Sequence, residues 1–129
     1  MLNITDDTGT TTCDFASTSS TFTISPSPKG RGVFLDLGDW GVTLKGHRMK
    51  HLKLLLSSPP STDVNMYVGL GFALTVGPDG DGIAIDLQKV FLFNNTAKVR
   101  PVGCGITIPA DGIPLVIDAL DAALAAASQ

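Results

Sequence analysis

The 129 residues make one domain, 1–129, large enough to bury a real core. Twelve acids against nine Lys and Arg give a net charge of −3, so bulk charge does not point to nucleic acid. Apolar residues reach 43% with only 16% charged, a balance that favours a chain hiding extra surface in an oligomer. All twelve acids are Asp, a residue of turns and caps, which predicts a chain made mostly of strands and turns. Met1–Thr12 is polar and does not read as a secretory signal. No run approaches the roughly 18 apolar residues of a membrane span. Cys13 and Cys104 read as two buried thiols in a reducing compartment, since nothing in their spacing suggests a disulfide framework.

In chain order, the pattern predicts an edge strand near Thr11–Ala16, a turn at Ser17–Ser20 and a strand at Thr21–Ile24 ended by Pro26 and Pro28. Lys29–Gly32 is a loop, Val33–Leu37 a strand and Gly38–Gly41 a tight turn. Three long runs read as β: Arg48–Leu56, Asn65–Val76 and Lys98–Ile108. The first two form the expected central hairpin, 48–57 with 65–76, joined by a Ser/Pro-rich turn. Alternation then sets Leu52, Leu54, Leu56, Leu70, Phe72, Leu74 and Val76 on one face. It sets His51, Lys53, Ser57 and Tyr67 on the other. Gly77–Gly82 is a loop, Ile83–Phe93 an apolar strand or extended connection, and Asn94-Asn95 a turn. Val102, Cys104, Ile106 and Ile108 share a face of the last strand. Ile113–Ala127 is the one helix expected, with Ile113, Ile117, Leu120 and Leu124 as its apolar stripe. Six Ala between 119 and 127 make it thin enough to lie close against another backbone.

The chain carries little catalytic signal. GPDGDG would need an acid at Val90 to be an EF-hand loop, and it reads as a turn. His47 and His51 would chelate zinc on a helix, but the strand reading sets them roughly 13 Å apart. Gly30-Arg31-Gly32, Gly69-Leu70-Gly71 and Gly103-Cys104-Gly105 each lack the third glycine of a dinucleotide loop. Cys104 falls in an apolar phase and reads as a core thiol. His47, Arg48, Lys50, His51 and Lys53 form the one basic cluster visible along the chain.

The string TFTISPSPKGRGVFLDL at Thr21–Leu37 resembles the coat proteins of single-stranded RNA bacteriophages, the leviviruses. LKLLLSSPPSTDVNMYVGLGFALTV is similar to that family's central hairpin. Thr107-Ile108-Pro109 and the Ile117–Leu120 helix follow in the family's order. The resemblance covers about residues 11–129, and its force lies in the order of weak motifs. It implies an α+β fold: an N-terminal β-hairpin, an antiparallel sheet of about five strands, and a C-terminal helix packing across a dimer partner. It implies a virion protein, assembled in the cytoplasm of a host bacterium, whose dimers form an icosahedral shell around single-stranded RNA. A dimer of that family can also bind an operator hairpin and repress translation. The chain departs from the family in ending after one helix, in its longer and more apolar 77–97 segment, and in the few cations on the expected RNA face.

The sequence therefore leads to a homodimer with Ile117, Leu120 and Leu124 at its interface. It leads to RNA on His51, Lys53, Ser57 and Tyr67, with the loop Lys29–Arg31 as the other basic candidate. No catalytic residue, metal, cofactor or membrane contact is expected. The alternatives are a tailed-phage decoration protein and a small β-sheet ligand-binding module.

Overall fold

The computed structural model describes residues 2–15, 20–27, 32–38 and 40–127. Lys29–Arg31, Asp39 and most of the Ser17–Ser20 turn lie outside the described residues. The fold is α+β, with two antiparallel sheets rather than one and two helices rather than one.

The first sheet is a meander of β1 (Leu2–Thr5), β2 (Thr11–Phe15), β3 (Ser20–Pro26), β4 (Val33–Asp36) and β5 (Gly41–Leu44), each paired with its neighbour in sequence. Alternation works here as expected. Cys13 and Phe15 on β2, Phe22 and Ile24 on β3, and Val33 and Leu35 on β4 are all buried.

The largest correction is at residues 47–57. The expected strand is a helix, α1 (His47–Ser57), and no 48–57/65–76 hairpin forms. Its buried residues are Met49, Leu52, Leu55 and Leu56, a helical stripe, while Leu54 and Lys50 face solvent. Asn65–Val76 is also not one strand. It folds back on itself as β6 (Val64–Gly69) and β7 (Phe72–Asp79), joined at Leu70-Gly71 with both residues at positive φ. A second tight turn at Gly80-Asp81 leads into β8 (Gly82–Phe93), and Asn94-Asn95 connects β8 to β9 (Thr96–Ile108). The sheet order is β6-β7-β8-β9.

After a 3-10 turn at Ala110–Gly112 comes α2 (Ile113–Ala127), with the bounds that the sequence predicts. Its buried line is Val116, Ala119, Leu120 and Ala123; Ile113, Ile117 and Leu124 are half-buried beside it. The helix lies on β2, β3 and β4 and against α1. The small Ala side chains allow close approach: a Cβ built on Gly9 would come within 2.6 Å of Ala126 Cβ. That close partner belongs to the same chain. Side chains from both sheets and both helices meet in one hydrophobic core.

Candidate functional site

The conversion of 47–57 into a helix redistributes the predicted RNA residues. On a strand His51, Lys53 and Ser57 share a face; on α1 Lys53 and Ser57, four residues apart, stay on one side while His51 turns to the other. His51 stays beside Tyr67 of β6, where His47, Arg48, Asn65 and Met66 complete the lining of a shallow depression. Arg48 organises this spot. Its guanidinium stacks 5.5 Å from the Tyr67 ring centroid, and its Nη1 donates to the Val68 carbonyl at 3.2 Å. Lys53 is elsewhere: its ammonium is ion-paired with Asp121 on α2, tying the two helices together. Ser57 is exposed at the far end of α1.

The predicted dimer contacts are redistributed too. Leu120 is 0% exposed within its own chain, so its neighbours are already supplied. Ile117 and Leu124 are half-buried against the same core.

His47 and His51 stand one helical turn apart, roughly 6 Å along the axis, so the geometric objection to chelation drawn from the strand reading does not hold. Among the described residues, however, no group of three His, Cys or Asp gathers that could hold a metal ion. Cys13 and Cys104 form no disulfide; Cys13 is buried as expected, whereas Cys104 is half-buried. Burial pushes the Cys13 thiol up to about 11. The Cys104 thiol points its Sγ at the Leu37 carbonyl, 3.6 Å away. Asp86 on β8 has its carboxyl held above the usual range by burial, with Asp63 and Asp79 adding like charge.

The feature not foreseen is the outer half of the β8–β9 hairpin. Up to Leu87 the hairpin belongs to the sheet, with Ile83 opposite Ile108 and Ile85 opposite Ile106, all buried. The pairing then shifts between Asp86/Gly105 and Gln88/Pro101, leaving Val102, Gly103 and Cys104 opposite Leu87, with Gly103 at φ +87°. This is a bulge, a device that bends and re-aims a strand. β7 stays paired with β8 past the bulge as far as Lys89, and the Val90 N–H donates to the Gly71 carbonyl at 2.8 Å. Among the described residues only β8 and β9 continue outward from there, and every residue from Phe91 to Pro101 is exposed. From Gln88 to Phe93 this arm is about 17 Å long at ordinary strand rise.

The arm has two chemically different faces, because paired residues point the same way. Val90 pairs with Val99, Leu92 with Ala97, and Gln88 with Pro101, which makes one face largely aliphatic. Leu92 is 75% exposed. The other face carries Lys89, Phe91, Phe93, Thr96, Lys98 and Arg100. A further apolar depression lies at the arm's root, lined by Trp40, Val42, Val68, Leu70, Phe72 and Leu87, with Trp40 and Phe72 rings 5.3 Å apart.

Lys89, Lys98 and Arg100 are a second basic cluster that the linear sequence conceals. The signal that reveals it is the Asn94-Asn95 turn: folding 83–93 onto 96–108 about that turn brings the three cations together. No helix among the described residues is long and apolar enough to cross a membrane. Comparison with protein-family models, with curated proteins and with solved structures returns no match to this chain.

Proposed function

We propose that this chain is a self-assembling structural subunit, a coat-type protein whose copies enclose single-stranded RNA, with no catalysis and no cofactor. The observation that carries the reading is the aliphatic face of the arm. Val90, Leu92, Ala97, Val99 and Pro101 form a strip on which Val90 is half-buried and the other four are exposed. A strip of that kind on a projecting hairpin is costly in water and is stabilising when a second copy covers it. The Trp40–Phe72 depression at the arm's root and fully exposed Leu70 extend the apolar surface available to that copy.

The assembly contact is therefore assigned to the arm and not to Leu120. A subunit that offers a projecting arm and a separate apolar depression can make heterologous contacts, which propagate into rings and shells rather than closing at a dimer. The levivirus-like strings at Thr21–Leu37 and from Thr107 through the Ile117–Leu120 helix support RNA as the cargo, and the low charged fraction supports burial of surface between copies.

Electron microscopy of the expressed protein, with the co-purifying nucleic acid extracted and digested, tests the reading. Closed particles containing RNase-sensitive polymer are expected. Isolated trimers or knobs favour a decoration protein, and a monodisperse monomer at micromolar concentration contradicts self-assembly.

A further inference from the structure

The opposite face of the arm has its own chemistry. The register sets Lys89 opposite Arg100 and Phe91 opposite Lys98, with Phe93 two residues further out on the same side. All five side chains are exposed, Phe93 at 60%. Arg100 lies 6.0 Å from the Phe91 ring centroid. No acid occurs anywhere in 87–101, and among the described residues none of the three cations is in an ion pair. In a chain of net charge −3 this is a local block of three uncompensated positive charges. Two aromatic rings sit among them at strand period, about 7 Å apart along β8.

We propose that this face binds single-stranded nucleic acid, with phosphates on Lys89, Lys98 and Arg100 and bases stacked on Phe91 and Phe93. The proposal deepens the coat reading by assigning where the enclosed RNA is held, and it rests on that reading for the polymer being RNA.

Each part of the arrangement has a reason. Cations alone would suit any polyanion, but exposed rings between them suit a polymer that alternates negative charge with flat π-faces. The bases must be unpaired, since a ring cannot stack on a base already enclosed in a duplex. Successive rings on one strand face are spaced suitably for neighbouring bases of an extended strand. The arrangement offers no fixed hydrogen-bond fork to base edges, so binding is expected to be tolerant of sequence. An anionic lipid surface is the competing partner for cations beside Phe rings. The arm's outermost residues are Asn94, Asn95 and Thr96, a polar tip where an inserting hairpin would carry its apolar wedge.

The test is fluorescence anisotropy of a labelled oligouridine against the full chain, across a salt series. Four proteins are compared: the unmutated chain, Phe91→Ala/Phe93→Ala, Lys98→Ala/Arg100→Ala, and His51→Ala/Lys53→Ala on α1. These arm residues are exposed, and circular dichroism with denaturant unfolding checks that each variant keeps its fold. The Phe pair is expected to weaken binding by at least about fivefold per ring lost. The cation pair is expected to flatten the plot of log affinity against log salt by about 0.7 per phosphate contact removed. The α1 pair is expected to bind within about twofold of the unmutated chain, because Lys53 is engaged by Asp121. Unchanged affinity and salt slope in both arm variants overturns the proposal. So does binding of the unmutated chain to phosphatidylserine vesicles but not to oligouridine.

Particle formation is scored separately. Particles that keep their RNA in both arm variants remove this site and leave the coat reading standing. Phe- and cation-dependent oligouridine binding by a chain that never assembles removes the coat reading and leaves the site.

Discussion

The inner and outer halves of the β8–β9 hairpin have the same kind of sequence and opposite environments. In Gly82–Leu87 the alternate residues Ile83, Ile85 and Leu87 are buried against the core. In Gln88–Phe93 the apolar residues continue, with Val90 half-buried and Phe91, Leu92 and Phe93 exposed. Strand character does not change at the boundary. What changes is cover: β7 pairs no further than Lys89, the β8–β9 register breaks at Val102–Cys104, and the residues from Phe91 to Pro101 are exposed. One hydrophobic pattern thus encodes a core in one place and an exposed surface in the next. The deciding factor is whether the rest of the chain reaches it.

If that division is right, substitutions should separate into those that cost the fold and those that cost assembly. The largest effect is expected from Leu120→Asp. It places a charge in a fully buried site and should remove more than about 4 kcal/mol of stability, which denaturant unfolding would show as loss of the folded monomer. Folded but unassembled protein would instead return Leu120 to a dimer interface. Next comes a matched pair on one strand. Ile85→Ala should cost about 2–5 kcal/mol, and Phe93→Ala should stay within about 0.5 kcal/mol, in the same unfolding assay. Equal costs would mean the arm packs on the body.

Leu70→Asn gives a smaller effect of the opposite sign. Leu70 holds φ +56° at a hairpin turn and is 97% exposed, a place where Asn is the better residue. Stability should rise by about 1 kcal/mol, and assembly should weaken if the Trp40–Phe72 depression takes part in it. The smallest effect is at Asp86, whose carboxyl is raised by burial and by Asp63 and Asp79. Its folded value lies above its unfolded value, so the folded state holds the proton more tightly and ionisation of Asp86 opposes folding as pH rises. Asp86→Asn should raise the midpoint of thermal unfolding slightly near pH 7 and leave it unchanged near about pH 3. An equal shift at both pH values would exclude the charge as the cause.

Much of the body is legible in the sequence because period-two alternation with turn residues is a strong signal. The strands β3 and β4 follow from it, β2 follows as a strand but lies inside the sheet rather than at its edge, and the full span of α2 follows from its helical apolar stripe. Helix α1 was hidden because HLKLLL satisfies both periods. Leu52, Leu54 and Leu56 alternate, while Met49, Leu52, Leu55 and Leu56 form a helical stripe. The misfit of Lys50 in the apolar phase of the strand reading was the available sign, since on the helix it is simply exposed. The Leu70-Gly71 turn was hidden because an apolar residue occupies a left-handed position; the Gly residues on either side were the clue. On α2, the stripe through Ile113, Ile117 and Leu124 lay beside the buried line through Val116, Ala119 and Ala123. Small Ala residues let the helix sit on its Ala side.

The candidate site was less legible than the fold. Of His51, Lys53, Ser57 and Tyr67, His51 meets Tyr67, while Lys53 and Ser57 lie on another side of α1. Face assignments built on alternation fail when the segment is a helix. The Lys89, Lys98 and Arg100 group depends on strand register, which no local pattern displays until 83–93 and 96–108 are paired.

If the aliphatic face of the arm joins copies of this chain, light scattering at micromolar concentration should separate the unmutated protein from Leu92→Asp. Large particles are expected for the unmutated chain, and for Leu92→Asp a folded species of monomer mass with unfolding stability within about 0.5 kcal/mol. Particles of unchanged size and yield from Leu92→Asp would contradict that role for the arm.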